Sequence, residues 1–406
     1  MLNKPLCFKS SYVDWLKGLG AVFSMLILLF IMSCSNPSIR ENTSVYERLN
    51  EPLRGVWLTN IDSDILFDSL KTKEALLKLK KAGFNTVYPV VWNDGYTLYP
   101  SDLMVQIFGK EFKQDTVFRS LGIDPLHNVI KYCKLIDLVV IPWFEFGFSS
   151  SYNQNGGHIL ATKPDWAARD SEGGILTKNG FEWMNAIHPE VQDFILNLIE
   201  EVLINYEVAG IQGDDRLPAM PSEGGYSTYT KDLYKQNTGL KVPENPMENQ
   251  FLEWKADQLS LFAERLFNMV KSRNPNAIVS MAPSVYPWSK EQYLQDWSKW
   301  LANGTLDELI PQNYRWDIES YKTTLEQSVN IYELAKQPNS SIRFASGIII
   351  KSGDRFNDYS YVKEAIRINR KNGIEGEVYF FYEGLFEQNR FLIDSLATHH
   401  YSPTHY

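Results

Sequence analysis

The strongest constraint on this chain is an alternation of strand-like and helix-like segments that runs from residue 52 almost to its end. Short apolar runs read as strands: RGVWLTN (54–60), NTVYPVVW (85–92), DLVVIPWFEF (137–146) and AGIQGD (209–214). Four more follow, AIVSMAP (277–283), DELIPQNY (307–314), RFASGIII (343–350) and GEVYFFYE (376–383). Helical patterns come after them, at about 68–82, 125–135, 189–206, 250–273, 290–303, 318–336, 359–372 and 386–396. Strands that alternate with crossover helices form a parallel sheet. Asp124-Pro125 and His188-Pro189 put proline at a first helical position, where its missing N–H costs nothing. Gly83, Gly304 and Gly373 stand where helices should end.

Eight βα units match a single closed (β/α)8 barrel of the TIM type better than an open, doubly wound sheet. No GxGxxG follows the first strand, so a dinucleotide fold has no support. In a barrel, the loops after the strands carry the functional site. Three long inserts, 93–124, 147–188 and 215–249, all follow strand C-termini and are rich in Trp, Tyr, Gly, Asn and Asp.

The first 33 residues read as an export signal, the alternative being an uncleaved N-terminal anchor. Lys4, Lys9 and Lys17 flank the start of the apolar run GLGAVFSMLILLFIM, which is short for a membrane span. Ile31-Met32-Ser33-Cys34 resembles a bacterial lipobox, so Cys34 is the expected lipidation site and residues 34–50 a polar tether to a domain over 51–398. The expected location is a bacterial membrane surface, facing the periplasm or the exterior. Cleavage before Cys34 discards Cys7 and leaves Cys133, in an apolar helical pattern, as a buried thiol with no disulfide partner. The formal net charge of −9 without a basic cluster argues against a nucleic-acid partner.

Polar residues at strand ends are the candidates for chemistry. Glu145 ends the third strand, Asp214, Asp215 and Arg216 the fourth, Gln312, Asn313 and Tyr314 the sixth, and Glu383 the eighth. Asn60 and Asn93 end the first and second. On the fourth strand the period of two turns Ile211 to the helices and Gly210, Gln212 and Asp214 to the barrel axis. Asp214 is therefore the stronger candidate for direct chemistry, as nucleophile or general base. Trp143 shares a face with Glu145, and an acid beside an apolar ring has a raised pKa, as a general acid requires. Glu383 follows VYFFY and is the alternative acid. Asn60, Asn93, Asp215, Arg216, Gln312, Asn313 and Tyr314 are candidates to hold hydroxyl groups. Trp57, Tyr88, Trp92 and Trp143 are stacking surfaces only if their strand phase suits. With 11 Trp, 22 Tyr and 22 Phe, aromatic platforms are plentiful. Two carboxylates with aromatic platforms suit the hydrolysis of glycosidic bonds.

Other chemistries have less support. His127, His158 and His188 form no HxH or HExxH arrangement, so no metal site is expected. There is no GxSxG elbow and no phosphate-binding glycine loop. No cofactor is called for.

The stretches RGVWLTN, LYPSDL (98–103), DPLHNVIKYCK (124–134), PWFEF (142–146), HPEVQDFILNLIEEVLINYEVAGIQGDDR (188–216) and LDELIPQNYRW (306–316) carry a resemblance. Together they resemble the bacterial glycosyl-hydrolase-like family 10, which is distinct from the true family 10 xylanases. The resemblance covers nearly all of 51–390. It implies a (β/α)8 barrel, an acidic pair at Asp214 and Asp215, and Glu145, Gln312 and Tyr314 as pocket residues. It also implies an exported protein acting on a polysaccharide or on the glycan strands of peptidoglycan. The chain departs from the family pattern at Ala209, where a further Asp usually stands, and at Gly213, usually a bulkier residue. The expected activity is hydrolysis of glycosidic bonds. The alternative is a glycan-binding lipoprotein on a barrel that has lost catalysis.

Overall fold

A computed structural model describes residues 51–386 and 392–401. The leader, the tether and Cys34 lie outside the described residues. Among the described residues no helix is long and apolar enough to cross a membrane.

All eight strand-like runs contain parallel strands. They are β1 (Arg54–Leu58), β2 (Thr86–Pro89), β3 (Val139–Val140), β4 (Gly210–Gly213), β5 (Ile278–Met281), β6 (Glu308–Leu309), β7 (Arg343–Phe344 and Ser346–Ile349) and β8 (Glu377–Phe380). Two sheets contain them. In one, β7, β8, β1, β2 and β3 pair in that order; in the other, β4 to β6 pair and β6 continues to the first part of β7. Single bridges join the sheets: Trp143 pairs with both Val90 and Gln212, and Gln312 pairs with Gly347. Parallel pairing thus passes from each strand to the next and returns from β8 to β1 at Arg54↔Glu377. β7 breaks at Ala345, where its pairing changes partner from β6 to β8.

Helices follow the strands: α1 (Ser69–Lys81), α2 (Pro125–Ile136), α3 (Pro189–Asn205), α4 (Asn249–Arg273), α5 (Trp297–Asn303), α6 (Ile318–Ala335), α7 (Tyr359–Lys371) and α8 (Leu392–His399). Aspartates start most of them, because a carboxylate in extended backbone accepts the orphan N–H groups of the first turn. Asp68, Asp124, Asp296, Asp317 and Asp358 do this for α1, α2, α5, α6 and α7. The helix expected over 290–303 is two helices. Leu294 takes φ 61° at the end of Trp288–Tyr293, and Asp296 caps a fresh start. Periodicity alone misses such a break, because the apolar stripe continues across it. Cys133 lies fully buried on α2, and burial pushes its thiol well up, as an inert core residue.

The barrel interior holds a polar layer. Trp57 Nε1 donates to Gln212 Oε1 at 2.7 Å, and Gln212 Nε2 donates to Ser280 Oγ at 2.9 Å. Ser280 Oγ and Tyr88 OH donate to Glu308 Oε1 at 2.7 and 2.8 Å, and Arg343 pairs with Glu308 Oε2. Strand phase here turns Trp57 and Tyr88 inward, but into the sealed interior. Neither is a stacking surface, since both are almost wholly buried.

The long inserts have structure of their own. After β2 comes a small hairpin (Trp92–Asn93 with Tyr96–Thr97) and the helices Asp102–Phe108 and Thr116–Leu121. After β3 come three antiparallel strands, Ser149–Tyr152, Thr177–Lys178 and Phe181–Trp183. After β4 comes the helix Thr228–Thr238, and after β7 the hairpin Lys351–Ser352 with Arg355–Phe356.

Candidate active site

Beyond the C-terminal end of β4 the chain doubles back. Gly213 permits this: a Cβ there would lie 2.4 Å from the carbonyl oxygen of Leu217 and 2.7 Å from Met281 Sδ. The residue that departs from the family pattern therefore has a packing reason. Gly147 has the same role opposite. It takes φ 51°, and a Cβ on it would meet Arg216 O at 1.9 Å. These two close approaches bring the end of β3 against the turn 214–216.

Arg216 is the hub of that meeting. Its Nε donates to the Glu145 carbonyl at 3.0 Å, and its Nη2 lies 3.4 Å from both Glu145 Oε1 and Asp214 Oδ2. Nη1 lies 3.1 Å from Asp215 Oδ1. The guanidinium sits 4.7 Å above the Phe181 ring. Three carboxylates thus share one cation, which leaves excess negative charge in a shielded place. The two most shielded acids respond with a raised proton affinity. Burial, then Asp215 and Glu145, raises Asp214 well above the usual range against the pull of Arg216. Burial pushes Glu145 up to about 7, with Asp215 adding and Arg216 and Asn93 opposing.

The carboxylates differ in access. The side chains of Asp214, Glu145 and Asp215 are 3, 16 and 30% exposed. Glu145 lines a cavity of about 370 Å³ walled by Phe146, Tyr152, Phe181, Phe380 and Phe381. Asp214 lies deeper, where Gln312 Nε2 donates to its Oδ1 at 2.5 Å. Asn93 Nδ2 donates to Glu145 Oε2 at 2.7 Å and to Asn60 Oδ1 at 3.2 Å. Tyr314 packs between Trp57 and Phe380, at 6.5 and 5.3 Å between ring centroids. Its own burial, then the field of Asp214, Asp215 and Glu145, holds its phenol high.

Eight of the candidate positions thus converge: Asn60, Asn93, Glu145, Asp214, Asp215, Arg216, Gln312 and Tyr314. Four expectations need correction. Trp143 is 2% exposed and packs beside Trp57 and Phe380, so it offers no stacking surface. Trp92 is fully buried, donates to Gly147 O at 3.0 Å and packs on Phe194, so it offers no stacking surface. Asn313 faces outward, because its neighbours Gln312 and Tyr314 face inward. Its amide pairs with Ser346 and Ser328 of β7 and α6. Glu383 sits on the turn Tyr382–Leu385, where Ser63 Oγ donates to its Oε1 at 2.6 Å, and it is not in the lining of the cavity beside Glu145.

The sequence reading missed the aromatic wall. Tyr152 and Phe181 pair across two insert strands, their rings 5.0 Å apart. Buried Glu182 fixes that turn, accepting from Ser151 Oγ and from the N–H groups of Gln154 and Asn155. The only sequence signal was the aromatic content of the insert. Among the described residues no group of three or more His, Cys, Asp and Glu is arranged to hold a metal. His158 is stacked 4.3 Å from Phe112, and burial lowers it to about 4. His188 stands at the N-cap of α3.

The raised acid has a consequence for stability. Between about 4.5 and 7 the folded state holds a proton on Glu145 that the unfolded chain has released. By linkage, this contribution makes stability fall as pH rises through that window. Glu145→Gln should therefore be more stabilising, relative to wild type, at pH 7 than at pH 4.5. Thermal melts of both proteins at the two pH values check this. A stability difference that stays constant or reverses would show that Glu145 is not held protonated.

Comparison with known proteins gives the site its context. The family model described as glycosyl hydrolase-like 10 matches residues 52–360. Glycosyl hydrolase DigH of Escherichia coli (strain K12) is 20% identical over 347 residues, covering 72% of this chain and 74% of that protein. Glycosyl hydrolase YngK of Bacillus subtilis (strain 168) is 22% identical over 306 residues, 66% of this chain and 54% of that one. Among solved structures, the PgaB (BpsB) glycoside hydrolase domain from Bordetella bronchiseptica aligns with a TM-score of 0.59 at 12% identity, over 85% of this chain and 99% of that domain. That likeness is one of fold, a TIM-barrel-type α/β fold shared with glycoside hydrolases. The family match, by contrast, spans well over half of the 406 residues, and the chain belongs to the glycosyl hydrolase-like 10 family.

Proposed function

We propose that this protein hydrolyses glycosidic bonds of a polysaccharide or cell-wall glycan outside the cytoplasm, with Glu145 as general acid and Asp214 as nucleophile or general base. The observation that carries the reading is the pairing of a cavity-facing acid held near 7 with a second, deeper carboxylate on the same guanidinium. A general acid must hold its proton at working pH and release it to the leaving oxygen. The facing oxygens of Glu145 and Asp214 each lie 3.4 Å from Arg216 Nη2, so they are no more than twice that apart. Glycosidases use carboxyl separations of roughly 5–9.5 Å. Asn93, in the cavity lining, supplies a donor and an acceptor for hydroxyl groups, Asn60, Gln312 and Tyr314 extend this polar set around Glu145 and Asp214, and Tyr152 and Phe181 supply faces for a sugar ring.

The test is product release by the purified protein from a panel of polysaccharides that includes peptidoglycan strands stripped of peptides. Reducing ends should appear with at least one of them. The contact of Arg216 with all three carboxylates favours a second reading, a glycan-binding barrel without turnover, since a carboxylate locked to a cation is a poor base. Binding without any release of reducing ends would establish that second reading.

Anchoring belongs to the same proposal. Residues 1–33 act as a lipoprotein signal and Cys34 carries the lipid. Wild-type protein should fractionate with membranes and take up a labelled fatty acid, whereas Cys34→Ala should take up none. Labelling that persists in the variant excludes this anchor.

A further inference from the structure

The cavity beside Glu145 has an unusual charge lining. Three carboxylates face it, those of Glu145, Asp62 and Asp94, and no lysine or arginine does. Arg216 is engaged by its three carboxylates, and Lys351, mostly buried, lies over the Phe381 ring at 5.3 Å. The cavity lining therefore carries acidic groups and no cation, with Asp62 and Asp94 at its opening. Asp94 on the rim is held in place by hydrogen bonds. Asp94 accepts from Tyr152 N at 3.0 Å and from Gln154 Nε2 at 2.8 Å, while Asp62 follows β1 in left-handed backbone at φ 52°. The walls are aromatic, so field lines from these charges are focused through the opening. A carboxylate-bearing sugar meets repulsion there. An ammonium meets attraction from the acids and from aromatic faces.

We infer that the cavity selects a sugar unit bearing a free ammonium, an amino sugar without its N-acyl group, over a neutral ring, and disfavours a uronate. This rests on the glycan-binding reading of the same cavity and names its substrate class. Direct binding of methyl glucosaminide, methyl glucoside and methyl glucuronide to the full protein near neutral pH tests it, by calorimetry or ligand-observed NMR. The glucosaminide should bind about tenfold more tightly than the glucoside, equivalent to about 1.4 kcal/mol, and the glucuronide more weakly than either. Salt should narrow the spread, since these charges reach solvent. Asp62→Asn and Asp94→Asn should each narrow it too. Both positions have left-handed φ, which Asn adopts as readily as Asp, and the Asn oxygen at 94 can keep the bond from Tyr152 N while that from Gln154 Nε2 is lost. If the glucuronide binds as tightly as the glucosaminide while the protein still hydrolyses a glycan, the charge selection is wrong and the hydrolase reading stands. If none of the three binds while a glycan is still hydrolysed, the charge selection is wrong and the hydrolase reading stands; if no reducing ends appear either, both are wrong.

Discussion

Asp214→Asn is expected to remove nearly all turnover and leave the protein folded. The side chains are nearly isosteric, and the position lies past the end of β4, outside the polar layer that fills the barrel. The amide cannot ionise, so it can neither attack an anomeric carbon nor accept a proton from water. Losing one catalytic carboxylate costs roughly a hundred- to ten-thousandfold in rate. The surroundings sharpen the expectation. Gln312 donates to Oδ1, so the Asn oxygen must take that place, and its NH2 then faces Arg216 Nη2, donor against donor. Arg216 should loosen on that side while keeping Glu145 and Asp215. Glycan binding should persist, because Tyr152 and Phe181 are untouched. Single-turnover rates together with equilibrium binding would separate these effects. A variant that keeps wild-type turnover would show Asp214 to be a structural partner of Arg216 and nothing more.

Glu145→Gln should be as damaging, with a different signature. Its carboxyl is the one that faces the cavity, and burial holds it near 7. As general acid it matters most where the leaving group needs a proton. Natural glycans should lose activity by roughly a hundred- to ten-thousandfold, whereas aryl glycosides with activated leaving groups should lose far less. In the wild type, the rate should fall as pH rises through about 7, when Glu145 gives up its proton, and the variant should lack that limb. Equal losses on good and poor leaving groups would remove the acid role from Glu145. Glu383, which accepts from Ser63, would then return as the alternative acid.

The candidate site was legible where side-chain phase could be counted. The alternation along β4 placed Gln212 inward, and Gln212 now bonds Trp57 and Ser280 inside the barrel. The same rule, applied to Gln312-Asn313-Tyr314, excludes Asn313, which was named with its neighbours although adjacent strand residues face opposite ways. Trp92 and Glu383 failed for another reason. Each stands at or past a strand end, where the period of two lapses and loop packing decides direction. The Trp92 indole turns to Gly147 and Phe194, and Glu383 follows a helical turn toward Ser63.

The sequence by itself determined the parallel α/β architecture, the eight strands, most helix boundaries and the family. These follow from local signals: apolar periodicity, aspartate caps, and proline or glycine at helix ends. Only the tertiary structure decided how the charges meet. Nothing in the order Glu145 … Asp214-Asp215-Arg216 says that one guanidinium bridges three carboxylates, because that contact depends on the close approach of Gly147 to the Arg216 backbone. Nor does the order say that Asp62 and Asp94 share a cavity with Glu145, since they follow different strands. Proton affinity depends on burial and on neighbouring charge, and both are set by residues distant in the chain, so it became readable only after the strands were paired.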